Sequence, residues 1–421
     1  CLCDMCDTVV SLEMSQRRAD VIRARYSERK NLTVVCDDLF SWSTEQKFDY
    51  VVVVGVLEYA AIFCDSEAPF HDFVKNLKKF LKEDGVILLA IENRFGLKYW
   101  SGAAEDHICK PFVGIEGYKE KGTAVTFSKY DLKKLFADEG FEYQRLYYVL
   151  PDYKFPVVIY TDKYVPNAST LSKLAFSYID NSILLWNEAK LYKDIINNNV
   201  QDFFANSFLI EVSRVKLENN QPVYITAKAE ARKPYRVTTL IYDDRHIEKI
   251  PVHEAAIAHI KKIYENELEL SQRGIQILKC EMKNNRLIRP YYEGDTSDCE
   301  FHKCLEQNDL EGIKYLIKLL RDNLLMSSEI SEDNMLNGID DTYQEKDVVL
   351  KEGYIDMVFS NAFLKNKELI FFDQEWKFSN IPLRFILFLA VRQSYLSFSG
   401  KTEITLEYLY KVLEIEECIN S

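Results

Sequence analysis

Glycine is missing where a nucleotide-type α/β domain would need it. None of the 14 glycines precedes Gly55, and none lies between residues 200 and 273. Neither stretch therefore offers a residue without Cβ for the tight turn that lets a backbone approach a phosphate or a cofactor carboxylate. Long apolar runs are missing too. A bilayer span needs roughly 18–20 apolar residues, and the nearest candidate, Ile381 to Val391, is short and carries Arg384. Basic clusters interleaved with aromatics are also absent, and 53 basic residues against 66 acidic ones leave a net charge of −13, which excludes a phosphate-backbone-tracking protein. Cys3-x-x-Cys6 has no second cysteine pair or histidine pair near it, so a four-ligand zinc site is excluded there. The ten cysteines are scattered along the chain and read as reduced thiols, making the cytoplasm the expected compartment.

What is present is ample for packed cores: 421 residues, 47% of them hydrophobic, predict two or three domains. Thr8 to Glu13 reads as a short strand ending in an acid. A charged helix follows from Gln16 to about Arg29, then a second strand, Leu32 to Cys36, ending in Asp37-Asp38. A third strand runs from Phe48 to Val54. A helix from Pro69 to Leu81 with a glycine stop at Gly85 leads to the strand Val86 to Ile91, and a helix ending at Gly140 precedes strands Tyr143 to Val149 and Phe155 to Tyr160. Strands alternating with helices predict a mostly parallel α/β sheet. In such sheets the acid at the second strand tip lies about 20 residues after a glycine loop, which would fall before Cys1. The expectation is a chain that has lost a first strand and its glycine turn.

The segments Val10-Ser11-Leu12-Glu13, Val35-Cys36-Asp37-Asp38-Leu39-Phe40 and Phe48 to Tyr59 resemble the successive cofactor segments of class I S-adenosylmethionine-dependent methyltransferases. The resemblance covers residues 1 to about 160, predicts a domain over 1–165, and implies a Rossmann-like sheet closed by an antiparallel strand. By that likeness Glu13 would hold the ribose hydroxyls, Asp38 would accept from the adenine amine beside Leu39, and Gly55 to Leu57 would line the methionine side. Carboxylates suit both tasks as acceptors. Asp37 and Asp38 remain alternatives, since either acid also caps a turn. Without the glycine turn, weak cofactor binding or none is expected.

The connection Glu92 to Tyr118 is long and sits at the carboxyl edge of the sheet, where ligands bind, so it reads as an acceptor lid. Asp106-His107 is its one adjacent carboxylate and imidazole, suited to removing a hydroxyl proton. A packing role for His107, with transfer by positioning alone, is the other reading.

Residues 166–200 read as a helical linker, and 201–421 as a second, α+β domain. Its strands begin at Ser207, Val223, Tyr235 and His246, a helix follows from about His253 to Leu270, and the chain turns mostly helical beyond Phe301. Tyr354-Ile355-Asp356 to Asn361, with Asp373 twelve positions after Asn361, resembles the catalytic loop and metal-binding acid of protein and small-molecule kinases. A two-lobed kinase-like layout is implied. Asp356 would receive the acceptor proton, Asn361 and Asp373 would hold Mg2+, and Lys249 with Glu265 would grip the ATP phosphates. Pro290 to Gly294 would be the hinge. Tyr354-Ile355 stands where the family has His-Arg, Glu375 where it has Gly, and no glycine-rich loop precedes Lys249.

Together the two halves resemble bacterial methyltransferase-kinases of surface-polysaccharide synthesis. This implies O-methylation of a sugar or glycan acceptor with phosphorylation of the same acceptor. The alternatives are a methyltransferase of another small or carrier-bound acceptor with a noncatalytic recognition half, and a scaffold without catalysis.

Overall fold

Runs of β-branched residues set the strands of the first half. In the computed structural model, residues 2–120, 122–172, 174, 184–227, 231–332, 348–398 and 400–414 are described. The chain divides into two units, Cys1–Asp162 with Leu174–Asn219, and Lys163–Lys173 with Asn220–Ser421.

In unit 1, β1 (Val9–Glu13) and β2 (Leu32–Cys36) are parallel, with Val9 opposite Leu32 and Glu13 opposite Cys36. The helix Gln16–Arg25 makes the crossover that parallel pairing requires. The two form a sheet of their own. β3 (Phe48–Val54) and β4 (Leu81–Glu92) are likewise parallel. Between them lies the helix Pro69–Phe80, opened by Pro69, whose missing N–H costs nothing in a first turn. Its Phe73, Val74, Leu77 and Phe80 recur at helical spacing and are buried.

β5 (Tyr143–Leu150), β6 (Val158–Tyr160) and β7 (Ser207–Ser213) complete the unit, in the order β3-β4-β7-β5-β6. β7 runs antiparallel to both β4 and β5, so β3, β4 and β5 share one direction. Two expectations need correction here. The strand at Ser207 does not open a second domain at residue 201; it is the central strand of the first unit's sheet, between β4 and β5. Gly85 is no helix stop either, because β4 already starts at Leu81 and a Cβ at Gly85 would stand 3.0 Å from the Phe48 carbonyl oxygen. Gly140, at φ +84°, does terminate the helix Lys129–Asp138, whose N-cap Ser128 accepts from the Asp131 N–H.

The expected linker is also divided: Lys163–Lys173 goes with unit 2 and Leu174–Asn219 with unit 1. Residues 173 and 175–183 lie outside the described residues.

Unit 2 opens with β8 (Pro222–Ala227), β9 (Val237–Tyr242) and β10 (His246–Pro251), followed by the helix Ile257–Gln272, β11 (Glu281–Lys283) and β12 (Arg286–Pro290). These strands are antiparallel in the order β11-β12-β10-β9-β8. Val237, Leu287, Ile260 and Ile263 form a small core between sheet and helix. A larger core joins the helices Ser297–Glu306, Leu310–Ser327 and Leu383–Ser397 to the hairpin β14 (Ala362–Lys365) and β15 (Glu368–Phe371); β13 (Val349–Tyr354) pairs with β16 (Lys377–Pro382). No described helix is long and apolar enough to cross a membrane.

Phe208, wholly buried in β7 and edge-on to Tyr148, tests this strand order. Phe208→Ala should destabilise unit 1 by about 3–5 kcal/mol, read as a lowered urea midpoint for its unfolding. A change confined to unit 2 would contradict the placement of β7.

Candidate functional site

The carboxyl ends of β3 and β4 carry a dense set of buried charges. β4 ends in Glu92 and the turn after β3 carries Glu58; both are fully buried. The connection after β4 supplies Lys98, Tyr99, Asp106 and His107, and the segment after β5 supplies Asp152, Tyr153 and Lys154. Lys98 Nζ lies 2.9 Å from Asp106 and 2.9 Å from Asp152. Burial alone would lower its pKa, yet Asp152 and Asp106 hold the ammonium above its ordinary value. Asp106 also accepts from Tyr99 Oη at 2.5 Å. Burial opposes its ionisation, but Lys98 and Tyr99 bring its pKa below the usual carboxylate value.

Asp106 is therefore spent on Lys98 and Tyr99 rather than on orienting its neighbour. His107 instead places Nδ1 3.0 Å from Tyr59 Oη and Nε2 3.9 Å from Glu92 Oε2. Lys154 bonds the other Glu92 oxygen. Both oxygens of Glu58, Oε2 of Glu92 and Nε2 of His107 are buried without a hydrogen-bond partner. Burial, reinforced by the Glu92 charge, pushes the Glu58 carboxyl up to about 8.

The other expected residues of unit 1 fall into two groups. Glu13 and Asp38 come to one edge, because Glu13 stands opposite Cys36 and Asp38 follows it. Glu13 accepts from Ser15 N at 2.8 Å and Arg18 Nε at 3.0 Å. Asp38 accepts from the N–H groups of Phe40 and Ser41 and from the Ser41 hydroxyl, an Asx-type turn that occupies its carboxylate. Leu39 is half-buried beside it. Gly55 and Leu57 follow β3, on a different sheet from Glu13 and Asp38. Gly55 has φ +62°, and a Cβ there would stand 2.6 Å from Tyr153 Oη, so a side chain would strain the backbone and displace the Tyr153 hydroxyl. Leu57 is wholly buried, which leaves its side chain packing the core instead of lining an open surface.

In unit 2, Lys249 on β10 is buried and paired with Asp373 and with Glu375, the latter at 2.7 Å. Burial would lower its pKa, but those two carboxylates raise it. Glu265 is not their companion: it is exposed on the helix Ile257–Gln272, whose buried face carries His259, Ile260, Ile263, Asn266 and Glu267. The acid two positions on, Glu267, faces inward. Its Oε1 accepts the Asp373 N–H at 2.7 Å and pairs with Arg289 at 3.0 Å. Asp373 itself has φ +61°, a strained backbone for a non-glycine residue.

Asn361 Nδ2 donates to the Asp356 carbonyl oxygen at 3.2 Å, and the Asn361 carbonyl oxygen accepts from Phe372 N at 3.0 Å. The loop acid, the amide and Asp373 are thus stitched into one turn. Burial pushes the Asp356 carboxyl up to about 6; the Trp376 N–H pulls the other way, and the Glu375 and Asp373 charges reinforce the rise. A cavity of about 470 Å³ opens beside Asp356, lined also by Ile355, Val358, Leu389, Arg392 and Gln393.

Pattern reading passed over Glu58, Glu92, Lys98, Asp152, Tyr153, Lys154, Glu267, Arg289 and Glu375. For Glu58 and Glu92 a signal existed: Glu92 is an acid closing an apolar strand, as Glu13 does, and Glu58 is an acid in the turn that follows one, both on the carboxyl edge of a parallel pair. Asp152 and Lys154 carried none, because only tertiary packing brings them to Lys98 and Glu92.

No protein-family model and no curated protein matches the sequence. Solved structures similar to parts of the chain are S-adenosylmethionine-dependent methyltransferases. The N-methyltransferase NodS from Bradyrhizobium japonicum, in complex with S-adenosyl-L-homocysteine, is 18% identical over 21% of this chain and 43% of its own, with a TM-score of 0.19. A possible histamine N-methyltransferase from Thermotoga maritima is 16% identical over 49% of this chain and 72% of its own, at 0.27. An S-adenosylmethionine-dependent methyltransferase from Archaeoglobus fulgidus is 12% identical over 48% and 74%, at 0.28. The match thus spans less than half of NodS, and the reading of the site rests on its own geometry.

Removing Lys98 should leave two carboxylates facing each other in the interior. Lys98→Ala is expected to lose about 3–5 kcal/mol in chemical unfolding, and Asp152→Asn added to it should restore part of that loss; additive losses would contradict the shared network.

Proposed function

We propose that unit 1 is an S-adenosylmethionine-dependent methyltransferase acting on an oxygen of a small or carrier-bound acceptor, and that unit 2 is a kinase-like, nucleotide-binding domain. The observation that carries the first half is the sheet: parallel strands followed by acids, with an antiparallel β7 inserted between β4 and β5 and the polar cluster on the carboxyl edge where ligands of such sheets bind. When bound, the cofactor supplies an electrophilic methyl group. Glu13 and Asp38 would accept from its adenosyl end, Asp38 by giving up its Ser41 hydroxyl bond, and Gly55 would line the methionine side beneath Tyr153. The hydroxyl proton would pass to the unpartnered cluster of Glu58, Glu92 and His107, with Tyr59 fixing the imidazole from its far nitrogen. Asp106 then acts as the anchor of Lys98, holding the lid to the sheet.

Titration calorimetry with S-adenosylhomocysteine tests this reading. Binding should be weak, since donors of its own turn already engage the Asp38 carboxylate. Because a hydrogen bond to a charged group contributes ~1.5–3 kcal/mol, Glu13→Ala and Asp38→Ala should each weaken it by tenfold or more. Equal heats in wild type and both variants would refute the assignment.

For unit 2 the supporting observation is Lys249 on an early antiparallel strand, reaching Asp373, whose N–H is held by Glu267 of the inserted helix. Asn361 and Asp373 would hold Mg2+, Lys249 the phosphates, and Asp356 would face the acceptor from its cavity. A sugar or glycan taking both phosphate and methyl fits this pairing of units. The alternative, a noncatalytic recognition domain, predicts no nucleotide effect. Mg2+ and ATP at 100 times Kd should stabilise the fold by about 2.7 kcal/mol, seen as a raised Tm that Asp373→Asn abolishes; no shift in the wild type leaves the recognition reading.

A further inference from the structure

Glu58, Glu92 and His107 present their ligating atoms to one another within 4.8 Å, the one such group of acids, histidines and cysteines among the described residues. Four of those atoms, Glu58 Oε1 and Oε2, Glu92 Oε2 and His107 Nε2, are buried without a hydrogen-bond partner. Interior carboxylate oxygens rarely stay unpaired, because each unmet acceptor retains its full desolvation cost. Nearby polar groups already have other partners: Lys154 takes the opposite Glu92 oxygen, and Lys98 is committed to Asp106 and Asp152. Tyr59 Oη bonds His107 Nδ1. That bond lets Nδ1 carry the proton and leaves Nε2 with its lone pair directed at the carboxylates, the arrangement that second-shell partners give metal-bound imidazoles.

We infer that Glu58, Glu92 and His107 form a binding site for a divalent first-row metal cation such as Mn2+ or Zn2+. The donor set, two carboxylate oxygens and one imidazole nitrogen, is borderline-hard and suits those ions. Bonds of about 2.0–2.2 Å bring ligand atoms closer to each other than they stand here, so small side-chain rotations close the site. Two carboxylates match the charge of the cation, and three protein ligands leave positions for water or an acceptor oxygen. With a metal present, His107 serves as a ligand, and activation of the acceptor hydroxyl passes from the imidazole to the cation. The inference rests on the cluster alone and holds whether or not unit 1 transfers methyl groups.

The full chain, stripped with a chelator, would be titrated with MnCl2 and followed by electron paramagnetic resonance, and separately with CoCl2 and followed by visible absorption. One Mn2+ per chain is expected, bound at least tenfold more weakly by Glu58→Gln and by His107→Gln, with a Co2+ spectrum free of thiolate charge-transfer bands. Glu58→Gln keeps the shape of the side chain, and a circular dichroism melt confirms that it folds. Absence of stoichiometric binding would overturn the inference and leave a proton shared between the two carboxyls. So would binding unaffected by both variants, a thiolate-type Co2+ spectrum, or binding lost in Asp373→Asn and kept in Glu58→Gln.

Discussion

The site of unit 1 depends on Asn206, the residue just before β7. Its Oδ1 accepts the Lys98 N–H at 3.0 Å, its Nδ2 donates to the Pro151 carbonyl oxygen at 3.1 Å, and its own carbonyl oxygen accepts from Asn93 N at 3.0 Å. Asn93 returns the favour through Nδ2, which donates to the carbonyl oxygens of Phe203 and Ala205. One fully buried residue thus ties the end of β4, the start of the connection after it and the segment carrying Asp152 to a strand from far along the chain. The bonds to the Lys98 N–H and the Ala205 carbonyl oxygen are buried, where an unmet partner would cost about 1–3 kcal/mol. The Lys98 ammonium can be buried between two carboxylates only because this frame fixes all three.

Unit 2 solves the same problem with alternating charge. Lys249, Asp373, Glu267, Arg289 and Glu375 form a chain in which each buried ion has a neighbour of opposite sign or a backbone donor. His259 extends it, 3.3 Å from Glu375. Cys280 sits at its edge, its thiol 2.9 Å from Glu267, with burial and the Glu267 charge pushing it up to about 12. Such a thiol stays protonated and acts as a weak donor, not as a nucleophile. A network this tightly paired holds Asp373 in its left-handed backbone conformation, since the energy gained at its side chain and N–H offsets the strain.

How much of this was legible in the sequence varied with range. β1 to β3 and the strands β8 to β10 of unit 2 lie within a few residues of where alternation and β-branching put them, because those signals are local. Strand neighbours are not local. β7 looks in sequence like the first strand of a new domain, and nothing within its seven residues says that it inserts between β4 and β5. Glu265 and Glu267 show the limit within a helix: both are acids on the helix after Lys249, and only the buried face of His259, Ile263, Asn266 and Leu270 decides between them. Asp38 was legible in both of its readings, and its turn bonds show one of them already realised.

Asp38 and Glu58 then mark two ways a carboxylate can end a strand. Asp38 stands at a half-exposed turn, with three donors of its own chain on its oxygens, and it needs nothing further to be stable. Glu58 is fully buried, has no donor on either oxygen, and faces a second acid. Folding energy alone would replace such a residue with a leucine or a glutamine, since a buried pair of acids is costly with or without a shared proton. What keeps an unsatisfied acid in a packed interior is a ligand that satisfies it. By that criterion the centre of unit 1 lies at the ends of β3 and β4 rather than at the acid-tipped pair β1 and β2.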